Sequence, residues 1–213
     1  MRSKIKFDVM GTPYQIMLKS IEVIENGTIE EEDGINGLVA TLYYPDLGKT
    51  AVVSTRELSL RDKKVHSFTD IPYPNQILFK ENILNDAYIE IELTSISKPT
   101  LLHKLFHKVG FSFLKQATNT IPLPPAMSGI LKNTTESLFD ILKPTDKVVI
   151  IGKGGWLISE DYGDNDLNLN LEVPSEIVLK QRTQEGEVTH YISKTIRKGY
   201  TNAHVVLGIK KLQ

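Results

Sequence analysis

Tyr88-Ile89-Glu90-Ile91-Glu92-Leu93 alternates apolar and polar residues without a break. Successive side chains of a β-strand point to opposite faces, so Ile89, Ile91 and Leu93 share one face and both glutamates the other. This is the pattern of a half-buried strand. Upstream, β-branched and aromatic runs at 4–9, 14–24, 37–44, 50–54, 64–68 and 76–80 carry the same character. Asn26-Gly27, Asp33-Gly34 and Asn36-Gly37 punctuate them, each offering a residue that tolerates positive φ.

Past residue 97 the period changes. Leu101, Leu102, Leu105, Phe106, Val109 and Phe113 recur every three to four residues, with His103, Lys104, His107, Lys108 and Lys115 between them. That spacing predicts an amphipathic helix with a basic face, bent at Gly110. A second helical pattern runs through Ile130, Leu131, Thr134, Leu138, Ile141 and Leu142, with Ser128 as N-cap and Pro144 as stop. Ile121-Pro122-Leu123-Pro124-Pro125 between them cannot be helical. Strand character returns at 147–151, 156–159, 167–171, 176–182, 188–195 and 204–212. Leu167, Leu169 and Leu171 again alternate, here with Asn168 and Asn170.

Strands in long runs, without a βαβ rhythm or a repeat, point to a mainly β, antiparallel β-sandwich, C2-like or jelly-roll-like. The expected organisation is one domain over residues 1–213, interrupted by an inserted α-helical pair at about 99–144. A chain of 213 residues, 40% hydrophobic and 24% charged, is adequate for one core with a solvated surface.

The formal net charge of −1 supplies no global field to gather nucleic acid or an anionic membrane, so any such contact must be local. Arg61-Asp62-Lys63-Lys64 and Lys194-Thr195-Ile196-Arg197-Lys198 are too short to change this, and a nucleic-acid partner is not expected. The absence of cysteine removes disulfides, thiolate metal sites and cysteine nucleophiles together. Lys6 and Asp8 interrupt any signal-peptide core, and no apolar run reaches the roughly 20 residues of a membrane-spanning helix. A cytoplasmic location is the expectation.

The richest group of hard oxygen ligands is Glu160-Asp161-Tyr162-Gly163-Asp164-Asn165-Asp166. Calcium takes about six to eight oxygens, and Asp161, Asp164 and Asp166 on a strand-flanked loop are candidate ligands; the alternative is an exposed acidic turn. Strand, acidic loop with Asp164-Asn165-Asp166, then strand resembles the calcium-loop region of C2 domains. The resemblance implies an antiparallel sandwich that binds lipid or protein, with Glu30-Glu31-Glu32-Asp33 as the facing acidic loop. It covers about a tenth of the chain, and the helical insertion departs from the family.

His103 and His107 stand one helical turn apart, but position 104 is Lys where a zincin motif has Glu. Gly152-Lys153-Gly154-Gly155 lacks the Ser/Thr and the helix of a phosphate loop, so a hairpin turn or bulge is expected. Trp156, the sole tryptophan, is expected in the core. No nucleophile elbow appears, and His66, His190 and His204 are scattered among strands.

No catalytic residue is assigned, and these readings favour a non-enzymatic binding module with an unidentified protein partner. The alternative is a membrane-associating protein that turns Lys104, His107, Lys108 and Lys115 toward an anionic surface. An enzyme with an unrecognised site is the third class. Calcium is the one cofactor the sequence suggests.

Overall fold

The structure, a computed structural model, describes residues 11–28, 34–43, 51–70, 73–83, 86–96, 148–185 and 188–212. Within them the chain forms β1 (Thr12–Val23), β2 (Gly34–Tyr43), β3 (Ala51–Leu60), β4 (Lys64–Ser67), a helical turn α1 (Tyr73–Gln76), β5 (Ile77–Ile83) and β6 (Asp86–Ile96). Then follow β7 (Val148–Ser159), β8 (Asn165–Glu172), β9 (Ile177–Glu185), β10 (Val188–Ile196) and β11 (Thr201–Lys211).

Nine strands make one antiparallel sheet in the order β3-β2-β6-β7-β8-β11-β1, whose far edge is shared by β4 and β5. The sheet curls into a half-barrel, and the core fills its concave side. This corrects the expectation of a β-sandwich. Alternation specifies that one face is buried, but it is silent on whether a second sheet or the sheet's own curl covers that face. Here the two edges approach each other where Arg56 of β3 donates to the Ile77 carbonyl at the start of β5. The helical pair expected at 99–144 falls outside the described residues; within them helix amounts to α1, and no inserted pair belongs to the described fold.

The inner face is continuous across the strands. Ile16 lies opposite Ile209, Leu18 opposite Leu207, Ile21 opposite Val205 and Val23 opposite Ala203, and every one of these is buried. The buried apolar positions of β1 switch from even to odd numbers because a bulge intervenes between Leu18 and Ser20. One extra residue returns the apolar set to the same face. Leu167, Leu169 and Leu171 join it from β8, and Ile89, Ile91 and Leu93 from β6.

Tight curling requires local exceptions to regular pleating, and this sheet uses bulges and glycines. A Cβ on Gly154 would stand 2.5 Å from the carbonyl oxygen of Asn170, and one on Gly152 would stand 2.9 Å from Cβ of Leu171. These two glycines admit β8 against β7. The run 152–155 is therefore mid-strand rather than a hairpin turn, and a bulge adjoins it, Leu93 pairing with Gly152 and Thr94 with Ile150. A further bulge leaves Asn202 unpaired between Thr201 and Ala203. Its side chain donates to the carbonyl of Ile151, the extra residue of the β7 bulge, at 2.8 Å, so a backbone group that the bulge takes out of the ladder is satisfied by a side chain.

Trp156 is not in the core; it is 50% exposed. It lies three residues before the end of β7, where the indole meets solvent rather than packed neighbours.

Candidate interaction site

Residues 177–196 leave the half-barrel as a two-stranded ribbon. β9 and β10 pair from Ile177 with Ile196 to Glu185 with Val188, and they pair with no other strand among the described residues. Nine residues at about 3.3 Å each give the ribbon a length of about 30 Å.

Its base is built to hold it. Ile177 and Ile196 are buried, and Leu179 packs against the core cluster. Lys194, on the same face, reaches between Glu25 and Asp62, pairing closely with the first and at 3.2 Å with the second. Burial alone would lower the Lys194 pKa, but hydrogen bonds to Glu25 and Asp62 and their charges outweigh it, and the ammonium is held above its usual value.

Asp62 is itself fixed, since its Oδ1 accepts from the Asn26 amide at 2.6 Å. Behind it the fully buried Asn26, Asn36 and Asn202 tie neighbouring strands of the sheet together. Asn26 donates to the Leu60 carbonyl of β3 at 2.9 Å, and Asn36 to the Thr94 carbonyl of β6 at 3.2 Å. Asn202 Nδ2 donates to the Glu25 carbonyl at 2.9 Å and accepts at Oδ1 from the Glu25 amide at 3.0 Å. A polar network of this kind fixes geometry more than it adds net stability, because each bond replaces one made to water, and within it Asn36 Oδ1 is left without a hydrogen-bond partner among the described residues.

At the base and just beyond it the ribbon also turns apolar groups outward. Val178 is 51% exposed on one face and Ile192 48% exposed on the other, and Tyr200 is exposed in the turn that follows. A paired ribbon has two outer edges with alternate N–H and C=O groups facing away, which is the template that an added strand recognises.

The acidic loop sits elsewhere, as the connection between β7 and β8. Asp164 accepts from the Lys211 amide at 2.6 Å, and Asp166 pairs with Lys19 at 2.6 Å. Asp161 lines an open groove of about 540 Å³ with Thr12, Asp86, Ser159, Glu160 and Lys211. Asp164 and Asp166 thus take different partners, and among the described residues no group of three His, Cys, Asp or Glu side chains converges as a metal site. The facing loop, Glu30 to Asp33, lies outside the described residues, and so do Lys104, His107, Lys108 and Lys115.

Sequence reasoning missed Glu25, Asp62 and Lys194, whose partners are far apart along the chain. Lys194 and Asp62 each stood inside a basic run and read there as surface charge. Among the described residues no helix is long and apolar enough to cross a membrane. No protein-family model matches the chain, and no protein of curated function matches it in sequence.

Proposed function

We propose that the protein is a non-enzymatic interaction module that binds a protein partner through the β9–β10 ribbon, the partner contributing an extended strand. The observation that carries this reading is that the ribbon pairs with no other strand among the described residues, while its base is anchored by Ile177, Ile196 and Lys194. Backbone groups on the ribbon edge supply affinity, and Val178 or Ile192 supplies an apolar contact for alternate side chains of the added strand. An anchored base lowers the cost of ordering the arm on binding.

The test is selection of random displayed peptides on the full chain, followed by calorimetry of the enriched peptides with wild type and with a Val178→Lys, Ile192→Lys double variant. The expected result is enrichment of extended peptides with alternating apolar residues, whose affinity falls at least tenfold in the variant. Peptides that bind both proteins equally, or no enrichment, would contradict the proposal.

A further inference from the structure

The outward face of β6 and β7 carries a second charged cluster, away from the ribbon. Glu90 and Glu92 alternate with the core isoleucines, yet each is only 3% exposed. Lys153, from β7, lies 3.1 Å from Glu90 Oε1 and 2.8 Å from Glu92 Oε1. From β2, Tyr43 donates to Glu90 Oε1 at 3.5 Å, and its ring stands 6.3 Å from that of Tyr88 on β6. Glu172 of β8 lies opposite Lys153 in register and is exposed.

The two buried carboxylates therefore share the ammonium of Lys153. Burial would lower the lysine's pKa, but the charges and hydrogen bonds of Glu92 and Glu90 more than compensate and raise it, so it stays charged. Burial, then the charge of Glu90, raises the Tyr88 phenol against the opposing effect of Lys153, so it stays neutral. With both glutamates ionised, this group carries one negative charge more than positive. A buried carboxylate without a counter-charge of its own is costly, and a proton removes that cost.

We propose that Glu90 is the proton-binding group of a pH-responsive device built into the sheet. On acidification it takes one proton from solvent, which leaves a matched Lys153–Glu92 ion pair beside a neutral Glu90, and this form holds β6 and β7 together more firmly. Geometry selects Glu90 because Glu92 has the shorter contact with the ammonium. The direction of its titration agrees. Burial raises the Glu90 pKa above the ordinary 4.5 and Glu92 adds to this, against the lowering by Lys153 and by the hydrogen bonds of Lys153 and Tyr43. A raised native value means that the stabilisation is fully present below the unfolded value near 4.5 and is lost as pH rises through the native value.

The test is a carbon-13 NMR titration of glutamate carboxyl groups in the full chain, with Glu90→Gln and Glu92→Gln alongside. The expected result is one carboxyl titrating above 4.5 that vanishes in Glu90→Gln and moves toward 4.5 in Glu92→Gln, where Lys153 belongs to Glu90 alone. In denaturant unfolding, wild type should gain up to about tenfold in folding constant per unit fall in pH relative to Glu90→Gln, over the same range. If Glu90→Gln does not fold, through-bond assignment in wild type identifies the resonance. Titration of Glu90 at or below 4.5 would overturn the proposal, and so would a midpoint that Glu92→Gln leaves unmoved.

Discussion

Glu90 and Glu92 show how a residue can obey its strand period and still be placed unexpectedly. The alternation at 88–93 assigns them to the face opposite the core, which is correct, but both are buried there. The information that was lacking is Lys153, which lies 61 residues from Glu92 in sequence and reaches it only once β6 and β7 pair. Gly154 is the converse case, a residue whose local reading as part of a turn is displaced by a tertiary contact. Its replacement by Ala puts a Cβ 2.5 Å from a backbone oxygen of β8 that cannot move alone. Gly154→Ala should therefore destabilise the fold by about 1–3 kcal/mol, as overpacking does. Urea unfolding at constant pH checks this, and an unchanged midpoint would mean that β8 does not lie so close.

At the scale of elements, the periodic strands were the most legible part of the chain. β1, β2, β6, β8, β10 and β11 appear within a few residues of where alternation and turn residues put them. β7 was read as two strands because its glycines resemble punctuation, whereas they accommodate a neighbouring strand. The bulge in β1 was written into the sequence as a switch of apolar parity, from Ile16 and Leu18 to Ile21 and Val23. Core and ribbon should respond differently to substitution. Leu207, fully buried between Leu18 and Leu167, should cost about 2–5 kcal/mol when changed to Ala. The Val178→Lys, Ile192→Lys double variant should stay within about 0.5 kcal/mol per site of wild type, since both side chains are half exposed. Thermal unfolding of both proteins provides the comparison, and a large loss from the ribbon variant would mean that the ribbon packs as part of the core.

At the scale of the molecule, the antiparallel β class was legible and the architecture was not. Every strand pairing among the described residues is antiparallel, as runs of strands without intervening helices imply. Whether such strands stack as two sheets or curl as one depends on a few exceptional positions, namely Gly152, Gly154 and the bulges at Ile151 and Asn202. The anchored ribbon was equally hidden. Its two strands were anticipated as strands, but nothing in their period distinguishes a ribbon from two members of the main sheet. Only the burial of Ile177 and Ile196 and the grip of Glu25 and Asp62 on Lys194 show where the barrel ends and the arm begins. The proposed docking of a partner strand on this arm is open to hydrogen exchange of the full chain with and without a selected peptide. The account predicts new amide protection concentrated in residues 177–196, with β1, β6 and β11 unchanged; protection confined to the half-barrel, with the ribbon exchanging as in the free chain, would contradict it.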